Sequence, residues 1–244
     1  MAEKMLIVTK ETQKRLISDI KDIICNPLIK QGIWYVHDET KILNGYAMII
    51  GPSDTIYADG IFFFEFEFPV DYPYSPPKLS FRTYDSTTRF HPNLYRNGKV
   101  CLSLLNTWKG EQWTSCQTIR SILLTLITLF HNKPLLNEPG ITELHKDFDN
   151  YNTIIEYKNY DVAILQMITH EKIPPVFSPF YTFIKKHYIK NIDNILKKIK
   201  KKNENVEQNN VIISTGIYNM KYTINYKKLY SKMLEAKKTY LKLN

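Results

Sequence analysis

Residues 61–68 read Ile-Phe-Phe-Phe-Glu-Phe-Glu-Phe, a pattern that repeats every second residue rather than every third or fourth. In an extended chain Phe62, Phe64, Phe66 and Phe68 fall on one side, and Phe63, Glu65 and Glu67 on the other. The first side is expected to be deeply buried and the second at least partly wet. The next nine residues, 69–77, contain four prolines, which exclude a helix and restrain a loop. Within that loop an aromatic residue precedes Pro73, which favours a cis bond at Tyr72–Pro73.

The rest of the chain is arranged around this strand. Gly32–His37, Ile42–Ile50 and Lys78–Tyr84 read as further strands, and Gly51-Pro52-Ser53-Asp54 is a dense turn signal after the second of them. Short loops between them predict an antiparallel meander. A helix is predicted over 10–25, with Leu16, Ile17, Ile20, Ile23 and Ile24 as its apolar face and Cys25 in the core. Asn26-Pro27 ends it. Further helices are predicted over 117–131, 142–167, 183–202 and 218–243. The class is α+β, with helices at the ends and on one face of an antiparallel sheet. Four parts are expected: a main domain over 1–170, a helical extension over 171–202, a flexible linker over 203–216 and a lysine-rich helix over 217–244.

With 43% hydrophobic residues the chain can fill a core. The net charge of +9 is uneven: residues 183–244 hold 15 lysines against four acids, whereas residues 1–182 are close to neutral. The basic tail can be a solvated helix end, or it can recruit an acidic substrate, nucleic acid or a membrane surface. Tyrosines at 218, 222, 226, 230 and 240 interleave with its lysines. The apolar run Ile119–Phe130 is too short for a bilayer, and the N-terminus lacks the pattern of a secretory signal. Three scattered cysteines, Cys25, Cys101 and Cys116, suggest free thiols in a reducing, intracellular compartment, cytoplasmic or nuclear. Their spacing fits no zinc site, and no Gly-rich phosphate loop or metal cluster is visible, so neither a metal nor a cofactor is expected.

The stretch His91-Pro92-Asn93-Leu94-Tyr95-Arg96-Asn97-Gly98-Lys99-Val100-Cys101 carries the candidate chemistry. Asn97-Gly98 is a turn signal, so the chain doubles back and Asn93 comes near Cys101. A covalent carrier needs an exposed thiol and a polar group for the oxyanion, which an asparagine amide supplies without ionising. A lone cysteine can equally be a small buried hydrophobe. Cys116, just ahead of the 117–131 helix, reads as packing.

At this level the sequence resembles the ubiquitin-conjugating enzymes over about residues 10–170. The resemblance rests on Gly51-Pro52 with Tyr57 and Gly60, Phe68-Pro69, Asp71-Tyr72-Pro73, Pro76-Pro77, His91-Pro92-Asn93, Cys101-Leu102, Trp113 and Asn137-Glu138-Pro139. A narrower resemblance links Gly98–Leu105, Thr107-Trp108 and Trp113-Thr114-Ser115 to the conjugating domain of the very large members that combine conjugating and ligase activities. Pro174-Pro175-Val176-Phe177 and Lys186-His187-Tyr188 extend that match to about residue 200. The chain would then be a free-standing version of such a domain.

The resemblance implies that Cys101 accepts the ubiquitin C-terminus as a thioester from the activating enzyme and that a substrate lysine receives it. It implies that Asn93 stabilises the oxyanion or holds the loop, and that Glu138 helps position and deprotonate the lysine, with a solvated loop acid as the alternative. His91, Pro92 and Asn137 would be structural. Lys10 and Lys14 would meet the activating enzyme, or form a solvated face. Tyr74, Trp113 and Thr114 fall on the surface that meets RING-type ligases. There the chain departs from the small members, with Tyr74 in place of phenylalanine, Thr114-Ser115-Cys116 in place of a proline-containing stretch, and a longer segment from Cys101 to Trp113. ATP would be used upstream. Conjugation of a ubiquitin-like modifier, an inactive ubiquitin-binding variant and a cysteine hydrolase are the rivals. The hydrolase would need a histidine base beside the thiol, and no such pattern is evident.

Overall fold

The computed structural model describes residues 8–170, 173–204 and 210–241. Helix α1 (Lys10–Cys25) starts at Thr9, whose hydroxyl accepts from Thr12 N at 3.1 Å. Strands β1 (Ile33–His37), β2 (Asn44–Ile50), β3 (Ile61–Glu67) and β4 (Lys78–Phe81) form one antiparallel sheet in sequence order. Helix α2 (Ile119–Ile127) opens with a capping box in which Thr118 and Ser121 exchange hydrogen bonds. Helix α3 (Phe148–Lys158) runs on through a π-helical stretch, Asn159–Leu165, into a short α4 (Gln166–Ile168). The long α5 (Tyr181–Glu204) follows, then a hairpin of β5 (Val211–Thr215) and β6 (Met220–Ile224), then α6 (Tyr226–Tyr240).

The period-two pattern of β3 places Phe62, Phe64, Phe66 and Phe68 in one core with Leu16, Tyr57, Phe90, Leu126 and Phe130. Phe62 stacks on Phe130 with ring centroids 4.3 Å apart. The other face is not wet where Phe63 lies. Phe63 is fully buried in a second core with Met48, Ile61, Phe177, Phe180, Ile184 and Tyr188, its ring 4.4 Å from that of Phe177. The helices therefore cover both faces of the sheet, not one. The reason lies in the extension: Pro174-Pro175 turns the chain, and a 3-10 segment, Pro175–Phe180, drops two phenylalanines onto β2 and β3. Only the end of β3 near Glu65 and Glu67 stays polar, with Glu65 paired to Arg82 and Glu67 to Lys78.

Four further expectations are corrected. On α1 the buried residues are Thr12, Leu16, Asp19 and Ile23, while Ile17 and Ile24 are exposed. Polar locks set that rotation: Arg15 bonds Asp19 at 2.9 Å and the carbonyl of Ser115 at 2.6 Å, and Tyr72 donates to Asp19. Cys25 and Cys116 are exposed rather than packed. The helix predicted over 142–167 begins only at Phe148. The linker predicted over 203–216 contains β5, and the helix predicted from 217 contains β6 and starts only at Tyr226; residues 205–209 and 242–244 lie outside the described residues. Here the β-branched and aromatic residues Ile212, Ile213, Thr215, Tyr222, Thr223 and Ile224 pair across strands, and Asn225 caps α6 by accepting from Lys228 N at 2.7 Å. The peptide bond Tyr72–Pro73 is cis.

Candidate active site

The frame of the site is built from carbonyls held by buried phenols. Tyr57 donates to the carbonyl of Phe90 at 2.6 Å, and Tyr151 to that of Arg89 at 2.8 Å. Gly51 is needed for the first of these, because a β-carbon there would lie 1.9 Å from the Tyr57 carbonyl oxygen. Burial pushes both phenols well above their ordinary pKa, so both remain donors.

His91 follows this anchor and is fully buried. Its Nδ1 accepts from Asn93 N at 3.0 Å, which leaves the ring proton on Nε2. Burial first, then the nearby His131 and Arg89, lower its pKa well below the usual value. The ring is a neutral brace for the turn. Arg89 secures the same turn from outside: Nε donates to His91 O at 3.2 Å and Nη2 to Pro92 O at 2.5 Å, while the guanidinium lies 3.3 Å from the Tyr95 ring centroid.

From Asn93 the chain doubles back at Asn97-Gly98. Gly98 N donates to Tyr95 O at 2.9 Å, and Tyr95 N to Lys99 O at 2.9 Å. Gly98 has φ +87°, and a β-carbon there would lie 2.8 Å from Phe81 O. The turn brings Asn93 against Cys101 in both directions. Cys101 N donates to Asn93 O at 2.9 Å, and Asn93 Nδ2 donates to Cys101 O at 2.6 Å. The thiol expected to be exposed belongs to a residue only 2% exposed. The following segment is drawn in tightly: Leu102 N donates to Thr107 Oγ1 at 2.9 Å, and Trp113 N to Asn106 Oδ1 at 2.8 Å.

Glu138 is half-buried at the end of a 3-10 turn, Pro134–Asn137. Asn137 Oδ1 lies 3.0 Å from His131 Nε2, and the His131 and His91 rings are 6.2 Å apart. Thus Asn93, Cys101 and His91 are joined by direct bonds, and Asn137 stands at one remove through His131. The carboxylate of Glu138 accepts from the Tyr218 hydroxyl, a residue that the sequence offered only as one of the tail tyrosines. Arg89 and Arg96 were also missed; the one signal for them is their place beside the His-Pro-Asn turn.

The outlying residues are placed as follows. Lys10 and Lys14 are exposed on α1. Tyr74 is 63% exposed with its hydroxyl on Glu11, and Thr114 is exposed. Trp113 is 8% exposed and its indole N–H donates to Pro73 O at 2.7 Å, so it braces the proline loop and presents little surface to a partner. In the basic tail Lys198 pairs with Asp59 and Lys202 with Glu156, while Lys197, Lys200 and Lys201 are exposed. Among the described residues no group of three or more His, Cys, Asp or Glu could hold a metal ion, and no helix is long and apolar enough to cross a membrane.

The sequence profile of the family described as ubiquitin-conjugating enzyme matches residues 15–159, which contain the whole Asn93–Cys101 turn and Glu138. The chain belongs to the ubiquitin-conjugating enzyme family. This is a family of acyltransferases. The chain is 42% identical over 160 residues to ubiquitin-conjugating enzyme E2 Z of Xenopus tropicalis, covering 63% of this chain and 50% of that protein. It is 35% identical over 200 residues to probable ubiquitin-conjugating enzyme protein 17 of Caenorhabditis elegans, covering 78% of this chain and 26% of that one. Over 164 residues it is 37% identical to the dual E2 ubiquitin-conjugating enzyme/E3 ubiquitin-protein ligase BIRC6 of Mus musculus, covering 64% of this chain and 3% of that protein. The chain thus spans about half or less of the length of these curated relatives.

Proposed function

We propose that this protein carries ubiquitin as a thioester on Cys101 and transfers it to a lysine. The observation that carries this reading is the two-way clasp between Asn93 and Cys101, inside the segment that matches the family. In the first step the Cys101 thiolate attacks the thioester carried by the activating enzyme. A new C–S bond forms and the activating enzyme's thiolate leaves. Because Cys101 is 2% exposed, the sulfur has to be uncovered first.

In the second step a substrate lysine loses a proton and its amine attacks the Cys101 thioester. The oxyanion needs a donor, and Asn93 Nδ2 has a second hydrogen beyond the one given to Cys101 O. The C–S bond then breaks, Cys101 leaves as thiolate and an isopeptide bond remains. Glu138 is the carboxylate at the lysine approach: it orients the ammonium or takes up the proton that the lysine loses. His91 is not the base, since its ring is buried and its Nδ1 is engaged by Asn93 N. The substrate thioester is already activated, so the reaction calls for no metal or nucleotide on this chain, ATP being spent upstream. Lys10 and Lys14 suit the activating enzyme, and Tyr74 and Thr114 suit a ligase. Three free thiols suit an intracellular compartment.

The test is charging. The protein, activating enzyme, ATP and ubiquitin are mixed, and products are separated with and without reductant. A reductant-sensitive adduct that Cys101→Ala abolishes is expected. If ubiquitin gives none and a ubiquitin-like protein does, the modifier is reassigned; if neither does, the carrier reading falls and a non-catalytic binding module replaces it.

A further inference from the structure

The turn between β5 and β6 holds a bulky side chain where the backbone favours glycine. Tyr218 has φ +58° and Asn219 φ +45°. Such a conformation persists only where the surroundings fix it. Here they fix it from several sides. Ile217 N donates to Asp147 Oδ2 at 2.8 Å, and Arg96 donates to the Tyr218 carbonyl. The Tyr218 ring centroid lies 6.0 Å from that of Tyr151 and 5.0 Å from the Arg89 guanidinium. The result is that the Tyr218 hydroxyl reaches the Glu138 carboxylate and donates to Oε2.

Among the described residues this is the one side-chain hydrogen bond to Glu138. It leaves Oε1 for another donor. Burial first, then the Glu138 carboxylate, keeps the Tyr218 phenol far above its ordinary pKa, so it donates at every working pH. Tyr218 also lies outside residues 15–159, the segment that matches the family. The contact is therefore supplied by the C-terminal extension to an acid in the conjugating domain.

We propose that Tyr218 is a positioning residue for lysine transfer: its hydroxyl fixes one oxygen of Glu138 so that the other meets the incoming ammonium. The proposal rests on the reading of Glu138 as the acid at the lysine approach. It gives the β5–β6 hairpin a role in the second step and none in the first. Its geometry also links the two halves of the site, since Arg89 flanks the Tyr218 ring and holds the His91 and Pro92 carbonyls.

The experiment is single-turnover discharge of the full-length protein, charged on Cys101 with whichever modifier it accepts and then cut off from the activating enzyme. Two nucleophiles are compared. Free lysine arrives as an ammonium and needs the acid; hydroxylamine is small and neutral and reports only the reactivity of the thioester. Tyr218→Phe keeps the ring and removes the hydroxyl. It is expected to charge normally, to discharge to lysine about tenfold more slowly, as for one hydrogen bond to a charged group, and to discharge to hydroxylamine unchanged. Glu138→Gln is expected to show the same selectivity, and the double variant to be no slower than Glu138→Gln alone.

A Tyr218→Phe protein that meets lysine at the wild-type rate while Glu138→Gln is slow would overturn the role of Tyr218. Equal slowing toward both nucleophiles would do the same, since it marks a general loosening of the hairpin. Normal lysine discharge by Glu138→Gln would overturn the reading of Glu138, and Tyr218 with it. Failure of the wild-type protein to form any thioester would instead strike the carrier reading itself.

Discussion

The turn from Asn93 to Cys101 and the hairpin from Val211 to Ile224 are both short doubled-back pieces of chain with left-handed residues at the tip. They differ in the balance of what holds them. The first is fastened chiefly by bonds between residues at most eight apart, such as Asn93 Nδ2 to Cys101 O and Asn93 N to His91 Nδ1, with Phe81 N to Gly98 O and Arg96 to the Tyr218 carbonyl as its longer ties. Beyond its own β5–β6 ladder, the second is fastened by bonds to residues 64 to 135 positions away: Ser214 to Asn150, Ile217 to Asp147, Tyr218 to Glu138 and Arg96, Tyr222 to Thr88 and Thr87. The first puts a glycine at its positive φ and the second a tyrosine. A local turn is specified by its own residues, whereas a docked hairpin tolerates an unfavourable tip because its partners hold it.

The largest expected effect tests the local side of this contrast. Asn93→Ala removes the side-chain clasp and, with it, the oxyanion donor proposed above, and discharge to lysine should fall about a hundredfold. Protection of 211–224 from hydrogen exchange should be unchanged. If that protection fell too, the two regions would not be independent.

Arg89 stands between them, with two bonds to the turn, its guanidinium over Tyr95 and its backbone N–H against Met220 Sδ. Arg89→Ala should cost about 2–3 kcal/mol in urea unfolding, as expected for buried bonds to a charged group, and should lower both charging and lysine discharge. A loss confined to either reaction would sharpen the boundary.

The next effect tests the remote side through pH. Asp85 is 8% exposed beside Lys158, which lies 5.2 Å from the Tyr222 ring. Burial pushes the Asp85 carboxyl up, but the charge and hydrogen bond of Lys158 and the N–H groups of Thr88 and Thr87 outweigh it and bring it down to about 2. A carboxyl whose folded pKa lies below its unfolded one contributes stability above the ordinary value near ~4 and loses it as pH falls toward the folded one. About 2 kcal/mol should therefore disappear between about pH 4 and 2. Exchange in the hairpin should rise there before exchange in 93–101, and Lys158→Met should flatten the dependence.

The smallest effect returns to the local turn. Gly98→Ala places a β-carbon 2.8 Å from Phe81 O at φ +87° and should cost about 1–2 kcal/mol, read by thermal unfolding. An unchanged midpoint would show that the turn relaxes without help from its neighbours.

These contrasts explain what could be read in advance. The sheet was legible because Phe62, Phe64, Phe66 and Phe68 recur every second residue and the neighbouring strands are bounded by Gly51-Pro52 and Pro76-Pro77, so pleat and pairing follow from a few residues. Asn93 and Cys101 were legible because Asn97-Gly98 reverses the chain between them. The rotation of α1 was not, since Arg15 and Asp19 find their partners at Ser115 and Tyr72. The burial of Phe63 was not, because its cover comes from Phe177 and Phe180 more than a hundred residues on.

By itself the sequence determined the order of strands, the reversal at Asn97-Gly98 and the meeting of Asn93 with Cys101, since each depends on dihedral preferences and spacing within a dozen residues. Only the tertiary structure decided that the tyrosines spaced by four, 218, 222, 226 and 230, divide among a turn, a strand and a helix. In isolation that spacing favours a helix. Pairing with β5 and docking on α3 and the 85–96 segment override that local preference, and they leave Tyr218 on Glu138.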